Sequence, residues 1–162
     1  MVSYVKRATI YFRDRRLPEA VDLLNRALVL APEDLDVKTV LGLCLFLGTG
    51  ARERATGLRY LEEVAARRPE AHDAQLQIGR HYTRRDPGRA ITALELYLRH
   101  RPEERRAADP VAQVALGEAY LLTGRVDDAV GTLDAACGVK IAGAIMASRT
   151  TTPCASRSVC LE

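Results

Sequence analysis

The chain has 162 residues, of which 48% are hydrophobic and 28% are charged, so it is long and apolar enough to bury a sizeable core. Its formal net charge of +3 is spread thinly along the chain, which argues against a nucleic-acid interface, because such interfaces concentrate basic residues on one face. The longest apolar run, residues 40–47, is far shorter than the ~20 residues that a membrane-spanning helix needs, which argues against a membrane protein.

Residues 1–34 predict two helices separated by a charged break at residues 13–16. Pro18 suits the first turn of the second helix, where its missing N–H would be unpaired anyway, and Pro32 ends that helix. The first helix carries an apolar stripe at helical spacing, formed by Val2, Val5, Ala8, Ile10 and Tyr11. The second is expected to bury Val21, Leu23, Leu24, Ala27, Leu28 and Leu30.

The spacings of residues 1–34 recur in three further segments, at about 35–70, 71–104 and 105–137. Each segment holds one small residue in each of its two predicted helices, where the helix backbones must approach closely: Ala8 and Ala20, Gly42 and Gly57, Gly79 and Ala90, and Gly117 and Ala129. Gly57 stands where the other segments have alanine, so we expect it to weaken its helix by ~1 kcal/mol.

Aspartates mark the starts of three of the predicted helices. Asp34 is expected to cap the helix that begins at Leu35, and Asp86 and Asp109 each precede a proline that can open a helix.

The connections between the predicted helices differ in length. Three extra residues enlarge the turn around residues 48–54, and the corresponding turn in the third segment is one residue short. A charged insertion at 103–108 precedes the fourth segment.

The small residues, the closing prolines and the repeat length of about 34 residues resemble the tetratricopeptide repeat. This resemblance covers about residues 1–137 and implies an all-α, right-handed superhelical solenoid of about four antiparallel helix pairs. Beyond it, residues 138–148 are expected to form a short capping helix, and residues 149–162 a disordered tail.

The resemblance also implies a concave groove lined by the first helix of each pair. An apolar floor with isolated charges suits a protein or peptide that has apolar anchors and some acidic residues. Phe12 and Phe46 have a second interpretation, which is that they pack between neighbouring units. The residues predicted to face the groove are Val5, Thr9, Phe12, Arg13, Thr39, Leu43, Phe46, Leu47, Leu76, Arg80, Arg84, Val114, Glu118 and Leu121.

One subtype of the family grips the acidic C-terminus of heat-shock chaperones with a clamp of Lys, Asn and Arg side chains. The matching positions here hold Val5, Thr9, Val40, Asp73 and Gln77, so the sequence predicts no carboxylate clamp and no chaperone-tail partner.

The sequence offers no catalytic or cofactor motif. Residues 48–50, Gly-Thr-Gly, lack the preceding strand and the following Gly-Lys-Ser/Thr of a phosphate-binding loop. No nucleophile stands beside a base. The four cysteines include no close pair of the kind a structural zinc site uses, so we expect no metal and no cofactor.

The sequence therefore predicts a non-enzymatic protein–protein interaction scaffold. Two alternative functions stay open. The array could instead be a structural or self-association segment of a larger multi-domain assembly protein, and an RNA-binding helical repeat is disfavoured by the even charge. The excess of arginine over lysine suggests a bacterial source. The N-terminus lacks a signal peptide, so we expect a cytoplasmic protein unless the chain is a fragment of a longer exported one.

Overall fold

The structure, a computed structural model, describes residues 2–48, 50–100 and 109–137. The described part of the chain contains eight α-helices and no strand: α1 Val2–Arg13, α2 Leu17–Leu30, α3 Leu35–Leu47, α4 Ala51–Arg67, α5 His72–Tyr82, α6 Pro87–Arg99, α7 Pro110–Leu122 and α8 Val126–Cys137. The predicted capping helix, the predicted tail and the charged insertion at 103–108 lie outside the described residues.

The helices stack as a repeat solenoid. Each first helix packs against the second helix of its own pair, and α2, α4 and α6 each pack against the first helix of the next pair. The first helices also contact one another, α1 with α3, α3 with α5 and α5 with α7, whereas no contact as extensive joins α2 to α4 or α4 to α6. The first helices therefore form the more closely packed inner layer, and the second helices form the outer layer.

The core is continuous along the stack and consists of three apolar clusters. The first, in α1 to α3, contains Leu24 and Leu41, and the second, from α3 to α6, contains Leu61 and Val64. The third is centred on Leu94 in α6 and extends into α7 and α8. Every junction between neighbouring helix pairs thus buries apolar surface, the main stabilising contribution in a repeat array.

The predicted helix caps are confirmed. The Asp34 carboxylate accepts hydrogen bonds from the backbone N–H groups of Asp36 (2.9 Å) and Val37 (3.2 Å). In the same way, Asp86 accepts from the backbone N–H of Arg89 and Asp109 from that of Ala112, each at 3.2 Å. A proline follows each of these two aspartates. Local sequence therefore sets where α3, α6 and α7 begin.

Three expectations about local structure are wrong. The extra residues of the second segment do not enlarge a turn, because α4 begins at Ala51 and absorbs them into a 17-residue helix. Residues 51–54, Ala-Arg-Glu-Arg, are strong helix formers, which explains the early start. Ile10 was placed on the apolar stripe of α1 and Leu30 on the buried face of α2, yet both side chains are exposed (58% and 66%).

The packing of α4 on α3 requires a glycine at position 57, a reason that helix propensity alone does not give. A Cβ added at this position would lie 2.5 Å from the Phe46 amide nitrogen and 2.7 Å from the Gly42 carbonyl oxygen. Real Cβ atoms do not approach a backbone that closely, so alanine does not fit here. Glycine is what lets α4 lie directly on α3, and its low helix propensity is a cost of that packing.

Candidate functional site

The inner layer carries an open groove between α5 and α7, with a volume of about 670 Å³. Four of the predicted site residues come together around it: Arg80, Arg84, Val114 and Glu118. They belong to two different helix pairs and are separated by up to 38 positions, so only the stacking of units makes them neighbours.

The floor of this groove is apolar and accessible. Val111 and Val114 of α7 remain 53% and 49% exposed, although both stand on the inner layer. They are one turn apart on α7, so their side chains project from the same face of the helix. Exposed valines in a groove provide apolar surface that a bound side chain would remove from water.

The rim of the groove is basic. Arg84 donates to the Glu118 carboxylate (2.7 Å) and so links the end of α5 to α7 across the groove. Arg80 is exposed and has no ion-pair partner among the described residues. Arg85 Nη1 lies 3.1 Å from His81 Nε2. Burial lowers the pKa of His81, and the positive charge of Arg85 acts in the same direction, so His81 is neutral at pH 7 and the guanidinium groups supply the positive charge.

A second depression, of about 730 Å³, lies at the opposite end of α5 among the first turns of the inner helices. The predicted site residues Val5 and Thr39 line it. It is acidic, because it contains Asp36, Glu70 and Asp73 against the single guanidinium group of Arg68. Arg68 pairs with Asp36 at 2.7 Å, while Glu70 and Asp73 make no ion pair with any described residue.

One predicted groove residue is not accessible. Leu43 is only 9% exposed and packs in the second core cluster with Leu61 and Val64. The prediction that Leu43 faces the groove is therefore wrong, and Leu43 is a core residue. The reason is that α3 is apolar around most of its circumference and is covered by neighbours on several sides.

The two phenylalanines are half-buried. Phe12 packs against the first and second core clusters. Phe46 packs against the second cluster and meets His81 of the next unit edge to face, with ring centroids 5.6 Å apart. Their contacts agree with the interpretation that they pack between units, and Leu76 is similarly half-buried against the third cluster.

The remaining predicted residues lie on α1, α3 and α7. The Thr9 and Thr39 hydroxyls donate to carbonyl oxygens of their own helices, those of Val5 (2.8 Å) and Leu35 (2.6 Å). Arg13, Leu47 and Leu121 are exposed.

Sequence reasoning missed His81, Arg85 and Pro110, which also line the groove between α5 and α7. His81 falls two positions after Gly79, and the matching residues in α3 and α7, Cys44 and Ala119, are buried. Whether His81 lines a groove therefore depends on the distance between α5 and α7, and the spacing of residues along the sequence does not specify that distance.

The described residues contain no group of three or more His, Cys, Asp or Glu side chains that could hold a metal ion. Cys44 is buried, and burial raises the pKa of its thiol to about 11. Within the same described ranges, no helix is both long and apolar enough to cross a membrane.

Comparison with known proteins agrees with the stacked helix pairs. Residues 80–144 match the family model described as tetratricopeptide repeat. Residues 80–144 are therefore similar to tetratricopeptide repeats. Proteins built from this repeat are typically non-enzymatic scaffolds, and the repeats support a protein-interaction role for this chain.

Solved structures of MamA share the fold. A crystal structure of MamA superposes with a TM-score of 0.66 at 22% identity and covers 88% of this chain and 79% of that chain. The structure of MamA AMB-1 superposes with a TM-score of 0.65 at 19% identity and covers 92% of this chain and 78% of that chain. At such identities the likeness concerns the fold alone. No curated protein sequence matches the chain.

Proposed function

We propose that the chain is a protein-binding scaffold that receives a peptide or helix of its partner in the groove between α5 and α7. The observation that carries this proposal is that one open groove holds exposed Val111 and Val114 together with the guanidinium group of Arg80, which has no ion-pair partner among the described residues. Apolar surface supplies affinity, and an unpaired charge at its edge supplies orientation.

The contents of the groove favour binding over catalysis. Its titratable groups are guanidinium groups, one neutral histidine and a Glu118 carboxylate that already pairs with Arg84. None of these groups is placed to activate a nucleophile. The groove is also open along its length, as suits a segment of another protein better than a small molecule that must be enclosed.

The test is selection of a phage-displayed library of random 12-residue peptides on the purified chain. Enriched peptides are then titrated against the parent and against Val114→Lys, which adds a long charged side chain to the apolar floor. We expect Val114→Lys to weaken binding at least about tenfold, as for the loss of an interface anchor.

The matched control is Val29→Lys. Val29 is 82% exposed on α2, in the outer layer, so this variant makes the same chemical change away from the groove. It should bind the selected peptides as the parent does. Peptides that bind Val114→Lys and the parent equally well would place the site elsewhere and overturn the proposal.

A second candidate function is self-association. Val29 and Leu30 form an exposed apolar pair at the end of α2, where the matching positions of α4 and α6 hold Ala66, Arg67, Arg99 and His100. Analytical sedimentation of the parent and of Val29→Lys, each over a hundredfold range of concentration, measures whether the chain self-associates. A dimer that Val29→Lys dissociates would favour the second function, and a concentration-independent monomer would exclude it.

A further inference from the structure

The two depressions of the inner layer have opposite charge and lie at the two ends of one helix. The depression at the start of α5 holds three carboxylates against one guanidinium group. The groove at the end of α5 holds three guanidinium groups, those of Arg80, Arg84 and Arg85, against one carboxylate. The inner face is therefore electrically polarised along α5.

Asp73 and Arg80 define this polarity most directly. They are seven residues apart on α5, so they project from nearly the same side of the helix. A rise of 1.5 Å per residue separates them by about 10 Å along the helix axis. Both are exposed, and neither forms an ion pair with any residue of the described ranges. Leu76 lies between them, half-buried, so one apolar side chain separates the two charges on this side of the helix.

The neighbouring charged residues reinforce the separation of negative and positive charge between the two ends of α5. Glu70 stands beside Asp73 in the acidic depression without an ion-pair partner among the described residues. On the other side, Arg84 uses its Nε–H to bind Glu118. Two opposite charges on either side of Leu76, neither with an ion-pair partner among the described residues, form a surface that distinguishes the two ends of a ligand.

We propose that the partner segment is itself polarised: it presents a carboxylate to Arg80 and a cationic side chain to Asp73, about 10 Å apart, with an apolar side chain between them. This inference rests on the proposed function, because it specifies the ligand of the same inner face. The segment holds its two charges three residues apart if it is extended and seven apart if it is helical. The charge order fixes the direction in which the segment lies along α5.

The experiment uses the enriched peptides of the phage-displayed library. Each peptide is synthesised in two forms, one as selected and one with its acidic and basic residues exchanged, so that composition and net charge are the same. Binding to the full chain is measured by fluorescence anisotropy. We expect the exchanged form to bind about tenfold more weakly, since two exposed ion pairs become two repulsions. The difference should shrink at high salt.

The reciprocal change is made in the protein, as the double variant Asp73→Lys with Arg80→Glu. This variant should prefer the exchanged peptides, also by about tenfold. The matched control is Asp127→Lys with Arg59→Glu, which makes the same two replacements at exposed positions of α8 and α4 and should keep the preference of the parent. Thermal melting shows whether both double variants are folded, so a loss of structure is not mistaken for a loss of binding. The comparison of the two peptide forms on the parent protein does not depend on any variant.

The outcomes distinguish the two proposals. Peptides that lose affinity on Val114→Lys but show no preference for charge order would overturn the polarity and leave the groove as the binding site. Peptides that ignore Val114→Lys would overturn the proposed function. A library from which no peptide is enriched would count against both.

Discussion

Gly57 of α4 lies so close to α3 that a Cβ on it would stand 2.5 Å from the amide nitrogen of Phe46. The neighbouring contact, 2.7 Å to the Gly42 carbonyl oxygen, is also with backbone, so no side chain can move aside to make room. The second pair therefore depends on a glycine where the other pairs have Ala20, Ala90 and Ala129.

Gly57→Ala should destabilise the protein by ~1–3 kcal/mol, because the steric conflict outweighs the gain in helix propensity. Urea unfolding followed by circular dichroism measures the change. Gly131→Ala is the control: a Cβ at Gly131 meets no atom within 4 Å, so this variant should gain ~0.5–1 kcal/mol. A stabilised Gly57→Ala would mean that α3 and α4 stand further apart than described here.

Arg15 and Gly124 occupy the same place in the turns of the first and fourth pairs. Both have left-handed backbone, with φ of 62° and 77°, and in both turns the next residue donates its N–H to a tyrosine carbonyl oxygen at 2.9 Å. Glycine adopts this conformation without strain, whereas arginine does not. Arg15→Gly should therefore stabilise the chain by ~0.5 kcal/mol, and Gly124→Arg should destabilise it by ~1–2 kcal/mol. Opposite shifts in melting temperature are the expected result, and equal ones would contradict the argument.

Tyrosines of two inner helices hydrogen-bond to the preceding pair. Tyr82 donates to Glu62 (2.8 Å) and Tyr120 to Glu95 (2.7 Å), so each hydroxyl joins an inner helix to the outer helix before it. Removing the hydroxyl with Tyr120→Phe should cost ~1 kcal/mol, since the Glu95 carboxylate loses a half-buried donor. Chemical denaturation at pH 7 provides the measurement.

The same hydroxyl should make stability depend on pH in the alkaline range. Burial, together with the hydrogen bond to Glu95, raises the pKa of Tyr120 to about 12. The unfolded tyrosine ionises near pH ~10. Its contribution is therefore complete below that pH and is lost as the pH rises towards the folded pKa. Melting temperatures from pH 8 to 11 should fall less steeply for Tyr120→Phe than for the parent, and parallel curves would contradict the prediction.

Lys38 is a buried cation within the second helix pair. It is 5% exposed, and its Nζ donates to Glu63 at 2.7 Å, so it ties α3 to α4. At the matching place in α5, Gln75 donates to the Pro69 carbonyl oxygen at 3.2 Å. Lys38→Gln should therefore find an equivalent acceptor at Pro32 and melt near the parent. Lys38→Met removes the donor and should melt lower. Melting scans of the two variants side by side check this order.

Much of the fold could be predicted because its determinants are local. Asp34, Asp86 and Asp109 cap helices through contacts with residues two or three positions away. Small residues at fixed spacing identify where the helices of a pair meet. The resemblance to the tetratricopeptide repeat that these residues carry is what assigned Arg80, Arg84, Val114 and Glu118 to one inner face. Interactions that span a few residues leave a readable pattern.

The remaining features are set by distances between units, and only the tertiary structure decides them. The burial of Leu43, the need for glycine at 57 and the tyrosine–glutamate bonds all depend on how closely one helix approaches another from a different part of the chain. The opposite charges at the two ends of α5 belong to residues whose types are plain in the sequence. That Asp73 and Arg80 have no ion-pair partner among the described residues follows from the arrangement of α3, α5 and α7. An ion pair needs its two charges within about 4 Å, and sequence order does not specify that separation.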